Sequence, residues 1–315
     1  MNDKLIKIFI ELCKIHNALG NKYETQAYKK LITILRKYPK KINKNSLNEL
    51  KNIDGIGKNT LYKIDEILQT GKLKLLEDMK KDKIINARLK LQTVMGIGPE
   101  LSKKLIQKNI YNINQLKKAN KNGTIKLTHM QKIGIKYYDS LNTKIPRKEI
   151  TSYKNNLTKI LQNSFPDIEI QMSGSYRLGK LLSNDIDIIL TSPKIKTKNQ
   201  LNKSNIFEEI IKLLINKKLI IDTIYNSKNN FMGITNTSRH IDIKFSPYNL
   251  LPFFLLYFGS GELFSRNIRQ EAKIKGYKLS EWGIYKGNKI IMNKAVDEKQ
   301  IFNKLGIKYI IPQNR

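Results

Sequence analysis

The sequence has little of several residues on which whole classes of protein depend. Its single cysteine, Cys13, excludes an internal disulfide framework and a cysteine-rich zinc cluster. Acidic residues are scarce, with 26 Asp and Glu against 59 Lys and Arg. There is no long uncharged apolar run and no signal-peptide pattern at the start. We therefore expect a soluble, intracellular protein that does not bind a membrane.

The positive charge itself is the second feature. A formal net charge of +33 is far more than solubility requires, and it predicts a polyanionic partner. Because the basic residues run through the whole chain and do not gather in one amphipathic helix or tail, they favour nucleic acid over a membrane surface. At 315 residues, the chain is long enough for two or three domains with separate cores.

The first third of the chain has helical spacing and contains a repeated unit. Helical periodicity runs through residues 4–37 and ends at Tyr38-Pro39, because the residue before a proline disfavours the helical conformation. Residues 50–57 and 93–99 then each carry an apolar-x-Gly-apolar-Gly hairpin between two helices. This is the helix-hairpin-helix pattern.

Each hairpin has two glycines separated by one residue, Gly55 and Gly57 in the first and Gly96 and Gly98 in the second. Glycine lets the backbone turn tightly and leaves amides at the start of the next helix to meet a phosphate. A helix C-cap followed by a turn also produces a single Gly-Ile-Gly. Two copies in so basic a chain favour binding to the DNA backbone over an ordinary helical connection.

Acidic residues interrupt two apolar strands in the second half. Asp185 and Asp187 point to one face of a strand, because successive side chains alternate and the intervening isoleucine points to the other face. Asp242 alternates in the same way between two isoleucines. Carboxylates in a partly buried site repel one another, and a divalent cation is the usual compensation. The alternative reading is a solvated strand face.

A small-residue turn, Gly174-Ser175-Tyr176-Arg177-Leu178-Gly179, precedes the first two acids. Its backbone N–H groups and the Ser175 hydroxyl can bind a phosphate, and Arg177 adds a positive charge. Phosphate donors beside metal ligands indicate phosphoryl or nucleotidyl transfer.

The remaining pattern indicates the fold class. We expect helices at residues 153–161 and 207–215, strands at 186–191, 219–223, 231–235 and 240–245, and a mobile Lys/Asn-rich linker at 192–204. The prediction is an α+β multidomain chain, in which a helical domain with helix-hairpin-helix motifs precedes a mixed domain with antiparallel strands.

Together these motifs resemble family X DNA polymerases, specifically the compact beta type. The order of the motifs carries the resemblance along nearly the whole chain: Ala27-Tyr28-Lys29-Lys30, both hairpins, Gly134-Ile135-Lys136-Tyr137, Ile145-Pro146-Arg147, the Gly-Ser turn, the three acids, Tyr257-Phe258 and Lys308-Tyr309. The resemblance implies a lyase-like domain over 1–80 and a second helical DNA-binding subdomain over 81–145. It implies a nucleotidyltransferase palm over 146–250 and a small nucleotide- and template-selecting subdomain over 251–315.

By the same resemblance, Asp185 and Asp187 would hold two Mg²⁺ ions, for which Mn²⁺ could substitute. Asp242 would bind the catalytic ion and accept the proton of the attacking 3′-hydroxyl. The remaining site residues would bind the incoming nucleotide: Gly174, Ser175, Arg177 and Lys144 at the triphosphate, Tyr257 and Phe258 at the sugar, and Arg269 at the template side of the nascent pair.

Several positions depart from the family pattern. Leu178 stands where a second triphosphate arginine is common, which leaves Lys180 to supply that charge. Asn184 replaces a glycine, His240 replaces an arginine beside the acids, Gly259-Ser260 replaces Thr-Gly, and Ser265 replaces an asparagine that contacts the base. These changes bear on nucleotide affinity and fidelity more than on the chemistry.

The helical domain carries a second implied activity. Lys63 matches the lysine that forms a Schiff base with a 5′-deoxyribose phosphate, and Tyr28 matches a residue of the same pocket. In a chain this rich in lysine the alternative is a solvated side chain. The family also implies a monovalent cation, Na⁺ or K⁺, on the backbone carbonyls of each hairpin: Lys51, Ile53 and Ile56, and Gln92, Val94 and Ile97.

The expected function is therefore template-directed gap filling in base excision repair, with dNTPs and gapped or nicked DNA as partners. We expect a monomer that works beside a ligase or other repair enzymes. We expect no BRCT-like domain before the first hairpin, because few residues precede it in this sequence. The alternatives are a template-independent terminal transferase, an RNA-tailing enzyme and a noncatalytic DNA-binding protein.

Overall fold

The computed structural model describes residues 2–315, which form two compact units that divide between Lys136 and Tyr137. The first unit is helical. Its helices are α1 (Asp3–Leu19), α2 (Lys22–Lys37), α3 (Ser46–Lys51), α4 (Lys58–Thr70), α5 (Lys74–Lys81), α6 (Lys83–Leu91), α7 (Pro99–Gln107), α8 (Ile113–Lys121) and α9 (His129–Lys136).

The core of the first unit forms where α1 packs against α2. Phe9 and Leu12 on α1 and Leu31 and Leu35 on α2 are each at most 1% exposed, as the apolar stripes predict. The helical stretch expected over residues 4–37 is two helices, because Gly20 adopts a left-handed conformation with φ of +79° and caps the first.

The two hairpins have the same internal hydrogen bond. In the α3–α4 hairpin the Ile56 N–H donates to the Ile53 carbonyl at 3.0 Å, and in the α6–α7 hairpin the Ile97 N–H donates to the Val94 carbonyl at 3.0 Å. Both donor residues are buried. Each hairpin thus buries the isoleucine that stands between its two glycines.

The hairpin glycines divide into two kinds. Gly55 and Gly96 have φ values of +96° and +80°, a region that favours glycine. Gly57 and Gly98 cap the N-termini of α4 and α7, and a Cβ on either would meet no atom within 4 Å. The glycine that precedes each of these helices therefore adjoins open space.

The second unit mixes helices and strands, so that the α+β multidomain prediction is confirmed. Its elements are α10 (Tyr138–Leu141), β1 (Ile145–Pro146), α11 (Arg147–Ser164), β2 (Glu169–Met172), α12 (Gly174–Arg177), β3 (Leu182–Ser183), β4 (Ile186–Thr191), α13 (Lys198–Lys203), α14 (Ile206–Asn216), β5 (Ile220–Asn226), β6 (Asn230–Thr235), β7 (His240–Phe245), α15 (Leu251–Phe258), α16 (Glu262–Ile274), β8 (Lys278–Ser280), β9 (Gly283–Lys286), β10 (Lys289–Met292) and α17 (Glu298–Leu305).

The central sheet has the strand order β2-β4-β7-β6-β5. The β4–β7 pair is parallel and the other neighbours are antiparallel. Isoleucines of β4 and β7 fill one core together with α11 and α14. A second core, built on α15, α16 and α17, meets the sheet at Ile189. Two interior strands therefore carry the acids.

The expectation of a mobile linker at residues 192–204 is wrong. It contains α13, which begins with a capping box in which Thr197 and Gln200 exchange hydrogen bonds. Ile195 and Leu201 are buried in the core of the sheet. Two apolar anchors and a capped helix thus order a segment whose composition indicates a loop.

None of the helices in residues 2–315 is both long and apolar enough to span a lipid bilayer.

Candidate active site

The acids meet because β4 and β7 are parallel neighbours in register. Asp187 lies directly opposite Asp242, while the flanking residues Ile186 and Ile241 face the core. Adjacent strands are about 4.8 Å apart, so the two carboxylates project side by side from one face. Asp185, immediately before β4, joins them. The structure thus brings together the three acids that alternation placed on a common face.

The surroundings of Asp187 strongly perturb its carboxyl group. Burial, followed by the negative charges of Asp185 and Asp242, raises the pKa of Asp187 to about 8, against a smaller lowering by Lys244. Near neutral pH the site therefore retains a proton in the absence of a cation. A group of carboxylates that retains a proton when no cation is bound is a donor set that suits a divalent cation. The residues present therefore fit a metal.

Lys244 contacts the same site, and the sequence analysis missed it. Its ammonium donates to both Asp242 carboxylate oxygens, at 2.8 and 2.9 Å, and to Asn230 Oδ1 at 3.0 Å, and it lies 4.6 Å from the centroid of the Phe258 ring. The sequence offered one signal for it: Lys244 lies two residues after Asp242 and therefore on the same face of the strand. In the described part of the chain no three acids, histidines or cysteines form a ready metal-binding cluster. At Asp242, the Lys244 ammonium already engages both carboxylate oxygens.

His240 lies at the start of β7 beside the acids. Burial lowers the pKa of its imidazole, while Asp185 and Asp242 oppose that shift. Its Nε2 atom is buried and has no hydrogen-bond partner among residues 2–315. A neutral ring thus stands where the family pattern has a positive charge.

The Gly-Ser turn is fixed against the acids by its backbone. The Ser173 N–H donates to the Asp187 carbonyl at 2.9 Å, and Gly174 follows with φ of +50°. A Cβ on Gly174 would lie 1.8 Å from Asp187 Oδ2. Glycine is therefore required at this position. Ser175 is the next residue in the chain, directly after the glycine that adjoins the Asp187 carboxylate.

Tyr176 anchors the same turn from behind. Its carbonyl accepts a hydrogen bond from Arg147 at 2.6 Å, its hydroxyl meets Thr151 at 2.9 Å, and the Arg147 guanidinium lies 3.7 Å from the ring centroid. The two-residue pairing of β1 with β3 brings exposed Lys144 beside the turn, where its ammonium donates to Asn184 Oδ1. Lys144 is thus placed at the rim of the site.

Arg177, expected at the triphosphate, has another partner. Its Nη2 atom donates to Glu298 Oε2 at 2.7 Å, and its side chain is only 16% exposed. Its Nη1 atom donates to the carbonyls of Leu255 and Gly259. Both terminal nitrogens therefore contact protein acceptors.

The aromatic pair lies at the end of α15. The rings of Tyr257 and Phe258 are 4.9 Å apart, and the Arg269 guanidinium on α16 lies 4.9 Å from the Tyr257 ring centroid. A small cavity beside them is lined in part by Tyr257, Ser265 and Arg269, and the buried Ser265 hydroxyl has no partner within the described residues. The three residues expected to contact the sugar and the template thus lie together.

In the first unit, Lys63 and Tyr28 form a separate site. The Lys63 ammonium donates to the Tyr28 hydroxyl at 2.8 Å and lies 5.2 Å from its ring centroid. The His16 ring lies 5.3 Å from that of Tyr28, and burial lowers the pKa of this histidine, assisted by the Lys63 charge against that of Glu24. The expected lysine is thus half-buried and oriented by a buried tyrosine.

Comparison with known protein families gives four matches, which follow one another along the chain. A helix-hairpin-helix domain matches residues 1–73, the fingers domain of DNA polymerase lambda 89–142, the DNA polymerase beta palm 144–248, and the DNA polymerase beta thumb 254–315. The palm match contains all three acids.

Curated relatives align over almost the entire chain. DNA polymerase lambda of Arabidopsis thaliana is 30% identical over 100% of this chain and 62% of its own length. DNA polymerase lambda of Rattus norvegicus is 26% identical over 96% and 54%, and DNA nucleotidylexotransferase of Xenopus laevis is 25% identical over 94% and 64%. The chain thus spans less than two thirds of the length of these relatives.

Proposed function

This chain belongs to family X of the DNA polymerases, and from that membership we propose that it fills gaps in DNA by template-directed synthesis. It would add a dNMP to a primer 3′-hydroxyl and release pyrophosphate, as a step of base excision repair. The observation that carries the proposal is the register that sets Asp187 opposite Asp242, together with the Gly-Ser turn, in which a Cβ on Gly174 would lie 1.8 Å from Asp187 Oδ2.

Family X enzymes depend on metal ions, and here Asp185, Asp187 and Asp242 would hold two Mg²⁺ ions, or Mn²⁺ in their place. When bound, such ions polarise the reacting phosphate and the leaving group. The Asp242 carboxylate would accept the 3′-hydroxyl proton at Oδ1 or Oδ2. Lys244 must first release those oxygens, and its existing hydrogen bond to Asn230 Oδ1, at 3.0 Å, would remain to hold its ammonium.

The incoming dNTP would lie between the turn and α15. Backbone amides from Gly174 onward, the Ser175 hydroxyl and Lys144 would contact its phosphates. Tyr257 and Phe258 would flank the sugar, where their bulk opposes a ribose 2′-hydroxyl. Arg269, held against the Tyr257 ring, would contact the template side of the new pair.

Gapped or nicked DNA would bind to the two hairpins. Amides after Gly57 and Gly98 are supported as phosphate ligands by the open space at those glycines. The carbonyls of Lys51, Ile53 and Ile56, and of Gln92, Val94 and Ile97, would hold Na⁺ or K⁺. Function as a monomer beside a ligase or other repair enzymes belongs to the same proposal.

The Lys63 site supports a second activity on the same DNA, the removal of 5′-deoxyribose phosphate. The Lys63 amine would attack the aldehyde carbon to form a Schiff base with loss of water. Loss of a C2′ proton and cleavage of the C3′–O bond would then release the DNA strand with its 5′-phosphate, and hydrolysis of the remaining Schiff base would free Lys63. Its hydrogen bond to Tyr28 and its half-buried position support this role, because they hold the amine in one orientation.

One experiment separates the proposed polymerase from its alternatives. The protein is incubated with a one-nucleotide-gapped duplex, Mg²⁺ and each dNTP in turn, beside Asp242→Asn. Incorporation of only the template-matched nucleotide, absent from the variant, supports the proposal. Incorporation indifferent to template would instead favour terminal transfer, the activity named for the Xenopus laevis relative. DNA binding with no incorporation would favour a noncatalytic protein.

A further inference from the structure

The last four carbonyls of α1 all have hydrogen-bond partners, although such carbonyls have none within their own helix. The first two, of His16 and Asn17, accept from backbone N–H groups just beyond the helix. The last two, of Ala18 and Leu19, accept from side chains at the end of α6. The end of α1 is therefore completed by a distant part of the chain.

Arg88 and Gln92 supply these side chains. Arg88 Nη2 donates to the Ala18 and Leu19 carbonyls at 3.4 and 3.2 Å. Gln92 Nε2 donates to the Ala18 carbonyl at 2.7 Å. A guanidinium in this position also meets the negative end of the α1 dipole. Two side chains thus cap α1 from outside.

The same two side chains reach the helix that follows the second hairpin. Arg88 Nη2 also donates to the Pro99 carbonyl at 3.0 Å. Gln92 Nε2 donates to the hydroxyl of Ser102 at 2.9 Å, and Ser102 is fully buried. Pro99 begins α7, directly after Gly98 of the hairpin. Arg88 and Gln92 therefore join the end of α1 to the start of α7, and we call this contact the α1–α7 junction.

The first hairpin is fixed to α1 by apolar packing. Ile56, between its two glycines, lies in the same core cluster as Phe9 and Leu12 of α1. Leu89 of α6 packs against this cluster as well. One helix, α1, is therefore attached to the first hairpin through its apolar face and to the second through its terminal carbonyls.

Both hairpins accordingly lie in the first compact unit. The α1–α7 junction connects residues on the two sides of position 80, where the family resemblance implies a boundary between subdomains. Two binding elements at a fixed spacing bind tightly when the target matches that spacing, and one of them is lost when it does not. Fixing the spacing in advance also removes the cost of ordering the two elements on binding.

We propose that Arg88 is a positioning residue that makes the two hairpins one preassembled DNA clamp, whose fixed spacing makes binding depend steeply on gap length. The proposal rests on the proposed function, in which each hairpin binds a DNA backbone. Lys63 lies on α4, which follows the first hairpin, and its substrate lies at the 5′ margin of the gap. The first hairpin would thus hold that side of the gap, and the second the primer side.

A series of gap lengths tests the fixed spacing. Fluorescence anisotropy is measured on DNA with gaps of one, three, six and ten nucleotides. Wild type should lose about 10-fold or more in affinity from the shortest gap to the longest, because the duplex arms separate and only one hairpin can engage. In Arg88→Met the affinity for the one-nucleotide gap should fall about 10-fold, and the dependence on gap length should shrink to about 3-fold or less.

Two further variants separate spacing from charge. Arg88→Lys keeps the charge but lacks the planar fork that reaches three carbonyls, so it should also flatten the dependence on gap length. Lys83→Met, at the exposed start of α6, removes one positive charge from the same helix. It should lower the affinity for every gap by a similar factor, because attraction to phosphate does not depend on gap length.

Amide hydrogen exchange of the DNA-free protein separates loss of the α1–α7 junction from loss of the fold. In Arg88→Met, the amides of residues 20–21 and 93–98 should exchange about 10-fold faster than in wild type, whereas those of α2 should not change. Faster exchange in α2 as well would mean that Arg88 supports the core and not the spacing, which contradicts the proposal.

The proposal is overturned if wild type and Arg88→Met show the same dependence on gap length, or if wild type shows none. Template-directed incorporation by a wild type that binds all gaps equally would contradict the clamp and leave the polymerase function standing. A wild type with a steep dependence that extends no primer would contradict the polymerase function and leave the clamp standing.

Discussion

Gly174→Ala offers a sharp test of how the site is built. A Cβ at this position would lie 1.8 Å from Asp187 Oδ2, whereas ordinary contact begins near 3.4 Å, so the carboxylate must retreat by about 1.6 Å. A displacement of that size costs on the order of 100-fold in rate when it moves a group out of productive geometry. The φ of +50° adds strain of about 1 to 2 kcal/mol in the free energy of unfolding.

The matched control is Gly276→Ala. Gly276 has φ of +77°, so an alanine there carries similar strain, but its Cβ would meet no atom within 4 Å. Both variants should lose about 1 to 2 kcal/mol in urea unfolding, whereas only Gly174→Ala should lose about 100-fold or more in kcat for gap filling. Equal kcat values in the two variants would refute the view that Gly174 leaves room for Asp187.

Three further predictions concern the acids, the lysine site and the hairpins. Burial raises the pKa of Asp187 from 3.8 to about 8. The contribution of this group to the free energy of unfolding of the metal-free protein is therefore fully present below the unfolded pKa and is lost as pH rises through about 8. Urea unfolding in EDTA should therefore show wild type losing more stability than Asp187→Asn between about pH 4 and 8, and parallel curves would contradict the raised pKa. Borohydride should trap wild type and Lys58→Ala on incised abasic DNA but not Lys63→Ala, and equal trapping of both variants would remove Lys63 from the reaction. Gly57→Leu and Gly98→Leu should fold normally, because their Cβ atoms point into open space, yet lose about 10-fold in affinity for gapped DNA by fluorescence anisotropy; unchanged affinity would exclude the hairpins as phosphate sites.

Local patterns made much of the site predictable. The strands at 186–191 and 240–245 have the bounds that alternation predicts, since buried isoleucines and outward acids leave one consistent register. The pairing of Asp187 with Asp242 depends on a parallel contact between distant segments, which periodicity cannot supply. The family resemblance, and not the local pattern, predicted that these two acids share one site.

Other features depended on contacts that no short motif encodes. Arg177 and Glu298 are 121 residues apart, and nothing near either one identifies the other as its partner. Lys244 lay on the predicted face but was not singled out, because a lysine on a solvated face is the commoner case. The ordered segment at 192–204 depends on Leu201 reaching a core formed by remote strands.

The parallel register of β4 and β7 has a consequence for how activity is lost. Asp187 and Asp242 form one rung of a backbone ladder between two adjacent interior strands of a five-stranded sheet, and no flexible loop sets their spacing. The geometry of the acids should therefore persist until that ladder opens. Amide hydrogen exchange of Ile188 and Ile243, measured beside residual activity in rising denaturant, would thus follow a single cooperative event, and catalytic competence would report the integrity of the sheet.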